Sequence, residues 1–163
     1  MEFDLRGYLQ PPKELLLDID TFKQEFVDNF PDSETRSVIF EQFEGFNSQF
    51  QEEVTDVYLQ WVGGSFTTKK LNPRDIDVVM FIEHSIFEEK ENLIRSKYGK
   101  NAVFFEQIDS YVMSEYEEDH PKFALYRGNY LYWYDFLTKT KKNRRGRHYP
   151  RGIVSIISKS ILL

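Results

Sequence analysis

The sequence contains no cysteine, and this absence excludes disulfide bonds, thiolate zinc sites and a cysteine nucleophile. Such a chain fits a reducing compartment, so we expect a cytoplasmic protein. The apolar run at 78–82 is far shorter than the roughly 20 residues that cross a bilayer, and we expect no membrane association. The first residues, 1–5, include acids and lack the basic and apolar stretches of a signal peptide.

Histidine is also scarce, and the few histidines do not suggest a site. His84, His120 and His148 are scattered and lack the spacing of metal ligands. Ser65 has no evident histidine partner that would activate its hydroxyl as a nucleophile. The pattern therefore disfavours a Ser/His hydrolase.

Apolar and aromatic side chains are plentiful. The 163 residues are 40% hydrophobic and 17% aromatic, which predicts one globular domain over 1–163. Its first part, 1–19, contains a glycine and two adjacent prolines and is predicted as an extended lead-in.

Charge is spread unevenly along the chain. The net charge is −6, yet 138–152 contains seven Lys or Arg residues and no acid. The overall sign argues against nucleic-acid binding by the whole surface. Two interpretations of this basic loop stay open: a contact with a triphosphate or an RNA backbone, and a solvated loop that keeps an acidic protein soluble.

Local patterns predict helices interspersed with strands. Asp20 as N-cap predicts a helix through Val27, and a longer helix follows from Asp32 or Ser33 to about Glu53. Further strands are predicted at 56–62, 75–82, 103–112 and 153–157, and further helices at 85–99 and 123–138.

The most informative stretch is a Gly-Gly-Ser turn at 63–65, followed after nine residues by Asp75 and Asp77. It lies between two apolar runs, 57–62 and 78–82, so the order is strand, glycine turn, short loop, strand. Side chains alternate along a strand, which puts Asp75 and Asp77 on one face and leaves the other face wholly apolar.

Two neighbouring carboxylates at the start of a strand indicate a cation site. Burying an unpaired charge is costly, and Mg²⁺ prefers carboxylate oxygens together with substrate phosphates. A two-metal site for phosphoryl transfer is usually completed by a third carboxylate, for which Asp109 is the candidate; Glu106 is the alternative, but it points to the opposite face. Asp75, Asp77 and Asp109 are the predicted catalytic and metal-binding residues, with two Mg²⁺ ions bound together with an NTP.

The turn and the loop supply groups for phosphate. Gly63 and Gly64 let the backbone approach an anion closely, and successive amides can form a concave anion site. Ser65 adds a hydroxyl, while Lys69 and Arg74 lie in the following loop and are predicted to face a triphosphate. A plainer interpretation is also open: a tight turn and a strand whose acids cap helices or pair with lysines.

This arrangement resembles the polymerase-β-like nucleotidyltransferase superfamily. The signature of that superfamily is Gly-Ser, a spacer of about this length, two acids separated by one residue and a later strand with a third acid. Gly64, Ser65, Asp75, Asp77 and Asp109 match it in turn. The resemblance is closest to an uncharacterised bacterial family of small domains of this kind, through a Pro-Pro segment at 8–12, Gly-Ser-Phe-x-Thr at 64–68, Asn-Pro-x-Asp-Ile-Asp-Val-Val at 72–79 and Arg-Gly-Ile at 151–153.

The resemblance implies a fold and an activity. The fold is α/β (α+β), a nucleotidyltransferase-like mixed β-sheet of about four to five strands with helices packed mainly on one side. Members transfer nucleoside monophosphates from NTPs to hydroxyls of drugs, proteins or nucleic acids with Mg²⁺, and small members occur in toxin–antitoxin pairs. A full second domain for acceptor binding is not expected in this chain.

Three hypotheses follow. The leading one is an Mg²⁺-dependent nucleotidyltransferase with an unidentified acceptor, which is a small molecule, a protein or RNA. The alternative is a catalytically inactive module of the same fold, antitoxin-like or a regulatory partner, which the small size favours. The third is RNA binding through the basic stretch 139–151.

Overall fold

The computed structural model of the protein describes residues 1–100 and 104–157. Within these residues the strands are β1 (Glu2–Phe3), β2 (Leu9–Gln10), β3 (Glu14–Leu17), β4 (Leu59–Gly63), β5 (Ile76–Glu83), β6 (Ile108–Glu115) and β7 (Ile153–Ile157). The helices are α1 (Ile19–Lys23), α2 (Arg36–Glu53), α3 (His84–Glu89), α4 (Glu91–Leu93) and α5 (Phe123–Leu137). Helices α1 and α4 continue as π-helical turns over Gln24–Asp28 and Ile94–Tyr98.

A mixed sheet with the strand order β3-β7-β4-β5-β6 forms the centre of the fold, and β1 and β2 form a separate antiparallel pair. The predicted α+β class with a mixed sheet is confirmed. Strand β4 is antiparallel to both β5 and β7, whereas β6 is parallel to β5 and β3 is parallel to β7. A parallel pair needs a crossover, which α3 and α4 supply between β5 and β6. The starts of β5, β6 and β7 and the end of β4 therefore lie at one end of the sheet.

One face of the sheet packs against α1, α2 and the helical crossover. The buried residues of α2 recur at helical spacing: Ile39, Phe43, Phe46 and Phe50. The sheet contributes alternate residues of β5 to the same cluster: Ile76, Val78, Met80 and Ile82. Stacked and edge-on phenylalanine rings fill the space between these layers, as between Phe22 and Phe66.

The opposite face packs against α5. Trp61 of β4 and Val79 and Phe81 of β5 are buried there beneath Tyr126 and Tyr130 of the helix. Because both faces of β5 are covered, its centre is apolar without interruption. Most of the described helices lie on the first face, as the resemblance implied, and only α5 among them covers the second.

Several predicted boundaries need correction. The lead-in 1–19 contains β1, β2 and β3, and β3 is an edge strand of the main sheet. The first helix is capped by Asp18, which accepts a hydrogen bond from the Thr21 amide at 2.6 Å, and not by Asp20. The long helix begins at Arg36, although the Ser33 hydroxyl does accept hydrogen bonds at its start.

Two further elements differ from the prediction. The strand predicted at 103–112 is β6, which begins at Ile108; position 103 itself lies outside the described residues. The helix predicted at 85–99 is divided into α3, α4 and the π-helical turn, and Glu83 caps its start by accepting from the Ser85 amide. No helix in the described part of the chain is long and apolar enough to cross a membrane.

Arg36 at the start of α2 holds the loop that follows the glycine turn. Its side chain is 1% exposed and donates to five backbone carbonyls, with no ion pair to an acid among the described residues. Burial lowers the pKa of Arg36 to about 10. The acceptors are the carbonyl oxygens of Phe26, Phe66, Thr68, Lys70 and Leu71. The guanidinium also lies 3.8 Å from the centre of the Phe30 ring. Arg36 thus satisfies carbonyls that neither helix nor sheet pairs.

Replacing Arg36 should destabilise the protein strongly. Arg36→Met keeps much of the side-chain volume but leaves several buried carbonyls unpaired, so the free energy of unfolding should fall by at least about 3 kcal/mol in urea titrations. Arg95→Met is the matched control, because the exposed Arg95 makes only an ion pair with Glu91 and a distant contact, 5.9 Å, with the Phe87 ring among the described residues. It should cost no more than about 0.5 kcal/mol. Equal losses in the two variants would contradict the assigned role.

Candidate functional site

Strand register brings the predicted acids and glycines together. Asp77 of β5 is paired with Gly63 of β4 on one side and with Asp109 of β6 on the other. Asp75 lies two residues before Asp77, in the segment that enters β5. Because β5 and β6 are parallel, their first residues lie at the same end of the sheet, and this explains why two acids far apart in sequence become neighbours.

The acids differ in burial. Asp77 is half-buried, whereas Asp75 and Asp109 are exposed. Asp77 follows the alternation of Val79 and Phe81 and so lies on the α5 side of the sheet. The three acids therefore lie at the end of the sheet where β5 and β6 begin, and the Asp77 carboxylate is more buried than the other two.

The negative charges of these acids lie close enough together to change their pKa values. Burial, followed by repulsion from Asp75 and Asp109, raises the pKa of Asp77 to about 6. Burial and the negative charge of Asp75 also raise the pKa of Asp109. Burial and repulsion both raise the free energy of the ionised carboxylates when no cation is bound. A bound cation would lower that free energy.

Gly64 is required where the chain turns beside Asp77. Its φ is +74°, in the left-handed region, and a Cβ at this position would overlap the Asp77 carboxylate. The turn is further closed by Thr68, whose hydroxyl donates to the Ser65 carbonyl at 2.7 Å. The Ser65 hydroxyl itself makes no hydrogen bond with another described residue, so it is free to meet a ligand.

Arg151 is a site residue that the sequence analysis placed in the basic loop and in the Arg-Gly-Ile segment, without a role beside the acids. Its Nη1 donates to the Gly64 carbonyl at 3.0 Å and its Nε donates to the Leu137 carbonyl at 2.8 Å. Burial lowers the pKa of Arg151, and the charge of Asp77 opposes this. The half-buried guanidinium thus joins the glycine turn to the end of α5 and lies close enough to Asp77 to attract it. The signal in the sequence was the Arg-Gly-Ile segment before the last strand.

Two lysines complete the positive surroundings of the acids. Attraction to Lys141 works against the rise of the pKa of both Asp77 and Asp109, and Lys100 does so at Asp109. Lys141 belongs to the basic loop, whose positive charge therefore acts on both acids. Lys100 was not selected from the sequence, where it is one of many scattered lysines.

The two cations predicted in the turn loop are placed differently. The Lys69 ammonium lies 5.4 Å from the centre of the Phe3 ring, beside the N-terminal strand pair, and its backbone amide donates to the Gly7 carbonyl. Arg74 is exposed directly before Asp75. The structure thus brings together Gly63, Gly64, Asp77 and Asp109 with Asp75 and Arg74 alongside, and directs Lys69 to the N-terminal segment.

The donor set suits a hard cation that brings other ligands with it. In the described part of the chain, no three His, Asp or Glu side chains are grouped closely enough to hold a metal ion on their own. Mg²⁺ usually binds to one or two carboxylates and takes its other ligands from water and substrate phosphates. Adjacent Asp77 and Asp109, with their raised pKa values and a glycine turn beside them, fit that mode of binding.

Adding a methyl group at Gly64 should disrupt the site. Gly64→Ala imposes left-handed strain and displaces the Asp77 carboxylate, so we expect a loss of stability of about 1–3 kcal/mol by thermal or urea unfolding. Gly45→Ala and Gly128→Ala are matched controls in helices, where a Cβ meets nothing within 4 Å. They should leave stability unchanged or raise it by up to about 1 kcal/mol. A neutral Gly64→Ala would show that the turn is not packed against Asp77.

Asp77→Asn should stabilise the metal-free protein above about pH 6. The folded-state pKa of Asp77 is about 6, compared with 3.8 for the ordinary group. The folded state therefore binds the proton more tightly, and the wild type loses stability as pH rises from about 4 to about 6. Because Asp77 is partly exposed, we expect a gain of only about 1–2 kcal/mol in the variant.

The gain should vanish below about pH 4, where Asp77 is protonated in both the folded and unfolded states. Chemical unfolding in EDTA at a series of pH values measures it. A variant that is less stable than the wild type at neutral pH would contradict the repulsion described above.

A match to a protein family extends over nearly the whole chain. No curated protein and no solved structure matches the chain. The family that does match is DUF6932, which is described as a family of unknown function, and the match covers residues 1–157. On this match the protein belongs to the DUF6932 family.

Proposed function

We propose that this protein is an Mg²⁺-dependent nucleotidyltransferase that moves a nucleoside monophosphate from an NTP to an acceptor hydroxyl. The observation that carries the proposal is the side-by-side position of Asp77 and Asp109 next to the turn at Gly63 and Gly64. The resemblance of the motif to polymerase-β-like nucleotidyltransferases supports the same function. A cytoplasmic location is part of the proposal and rests on the absence of cysteine.

The reaction is a substitution at the α-phosphorus of the NTP. The acceptor oxygen forms a new bond to this phosphorus, the bond to the bridging oxygen of the β-phosphate breaks, and pyrophosphate leaves. The acceptor hydroxyl also gives up a proton. When bound, Mg²⁺ supplies neutralisation of the phosphate charge and favours ionisation of the attacking hydroxyl.

Metal binding, proton transfer and phosphate binding are assigned to different residues at this end of the sheet. Asp75 and Asp77 would hold the metal ions, with Asp77 as the half-buried member of the pair. Asp109 completes the site and, being exposed with a raised pKa, is suited to orient the acceptor hydroxyl and take its proton. The Ser65 hydroxyl and the neighbouring amides hold the β- or γ-phosphate. Arg151 adds positive charge beside the turn.

A second candidate is a catalytically inactive module that keeps the fold and binds a protein partner of the toxin–antitoxin or regulatory type. One observation favours it: in the described residues no three potential ligands are grouped to hold a metal without help from a substrate. The module and the enzyme make opposite predictions about nucleotide-dependent metal binding, so one experiment separates them.

We expect non-hydrolysable NTP analogues to raise the melting temperature of the wild type when Mg²⁺ is present and much less when it is absent, because the carboxylates need the cation to accept a triphosphate. At about 100 times the dissociation constant, binding contributes about 2.7 kcal/mol. Asp77→Asn and Asp109→Asn should lose this shift. With NTPs labelled at the α-phosphate, the wild type should also release labelled product and pyrophosphate.

Asp119→Asn is the matched control, since Asp119 is an exposed acid in the turn before α5. It should respond to nucleotide and Mg²⁺ as the wild type does. A wild type that shows no shift with any of the four NTP analogues would overturn the proposal and leave the partner-binding module. A full shift in Asp77→Asn would show that the nucleotide binds elsewhere.

A further inference from the structure

The basic loop at 138–152 is an ordered hairpin between α5 and β7. Its two sides are joined by the bridge between Lys139 and Pro150, and the Thr140 amide donates to the Tyr149 carbonyl at 2.9 Å. On the return side, the Tyr149 amide donates to the Thr140 hydroxyl at 2.9 Å. The cations of this segment are therefore carried on a defined scaffold.

The tip of the hairpin is closed around Asn143. The Asn143 Oδ1 accepts from the amides of Arg145 at 2.8 Å and Arg147 at 3.0 Å, and the Asn143 amide donates to the Arg147 carbonyl at 3.0 Å. Gly146, with φ at +72°, makes the sharp bend. This closure holds the backbone of the tip so that Arg144, Arg145 and Arg147 are presented together, and all three are exposed.

These three arginines have no acidic partner. Among the described residues none of them forms an ion pair; the hairpin's one pair joins Lys139 to Asp135 at the base. Together with Asn143 and Tyr149, the arginines line an open cavity of about 360 Å³. The protein has a net charge of −6, so acids that could pair with these arginines are abundant elsewhere in the chain. Guanidinium groups left without such a partner at the hairpin tip therefore indicate a surface that binds an anion.

The positive surface continues from the tip in two directions. On one side the Arg6 guanidinium lies 4.2 Å from the centre of the Tyr149 ring, which also stacks on Tyr8. The turn between β1 and β2 therefore adds a cation beside the hairpin, one that also forms a 3.9 Å ion pair with Asp4. On the other side the charges of the exposed Lys141 and the half-buried Arg151 both act on Asp77, so positive potential extends from the hairpin toward the acids.

A single bound phosphate or triphosphate would contact only some of these cations. A chain of phosphodiesters matches several guanidinium groups in succession, and Arg is suited to bidentate contact with phosphate. A single-stranded nucleic acid also ends in a hydroxyl, the group that the proposed reaction needs at Asp109. An acidic protein segment would satisfy the charge but would bring no terminal hydroxyl to the acids.

We propose that the hairpin at 138–152 binds single-stranded nucleic acid, whose terminal hydroxyl is the acceptor at the Asp77 and Asp109 edge. The position of the terminal hydroxyl rests on the proposed function, whereas binding to the hairpin does not. Binding is therefore tested with EDTA present and without NTP, so that a failed transfer reaction and a failed binding reaction are told apart.

The experiment measures fluorescence anisotropy of labelled RNA and DNA oligonucleotides of about twelve nucleotides with the full chain. We expect the variant R144Q/R145Q/R147Q to bind at least about tenfold more weakly than the wild type near 0.1 M salt. Its slope of log affinity against log salt should be smaller by about 2, since each phosphate contact on a single strand contributes about 0.7. The oligonucleotide that binds more tightly shows whether the hairpin prefers ribose or deoxyribose.

The matched control is K23Q/R95Q/R127Q, which removes the same charge from exposed positions on the helical elements. It should bind as the wild type does, and D77N should bind at least as tightly as the wild type. The proposal is overturned if neither oligonucleotide binds, if both triple variants lose the same affinity, or if a polyglutamate of equal length displaces the oligonucleotide at equal concentration. That last result would indicate a docking surface for an acidic protein.

Discussion

The structure depends on the register of three neighbouring strands. Pairing of β4 with β5 and of β5 with β6 places Gly63, Asp77 and Asp109 in one row across the sheet. A shift of one residue would turn the acids into the phenylalanine-rich core and the apolar residues out of it. Because both faces of β5 are buried, its register with β4 and β6 is fixed. That register places the carboxylates of Asp77 and Asp109 side by side. Under the proposed function, a bound cation would offset the electrostatic cost of placing these carboxylates side by side.

Support for the row comes from groups on both sides of the turn. Arg36 pins the loop after the turn through backbone carbonyls, and Arg151 ties the turn to the end of α5. Neither arginine is neutralised by an ion pair with a described acid, so both use their charge on carbonyl dipoles. The glycine turn is thus held from both sides, next to two carboxylates whose pKa values are raised. The basic hairpin then adds positive charge on the open side of the same edge.

Much of this was predictable because the relevant signals are local. The apolar runs, the glycine turn and the spacing of the acids predicted β4, β5 and the row of carboxylates. Edge strand β3 was missed because its pairing with β7 joins residues at opposite ends of the chain. Arg36 was missed because an arginine at the start of a helix usually faces solvent, and its carbonyl partners are set only by the tertiary fold. The neighbourhood of Lys100 and Lys141 likewise depends on how distant loops meet.

The most direct test of the account is the position of a bound cation. Crystals grown with Mn²⁺ and a non-hydrolysable NTP would locate the metal by anomalous scattering. We expect a peak in contact with the carboxylate oxygens of Asp77, with Asp75 and Asp109 beside it, and with the phosphates of the nucleotide. A nucleotide bound elsewhere, or Asp77 paired with Arg151 and no metal beside it, would contradict it.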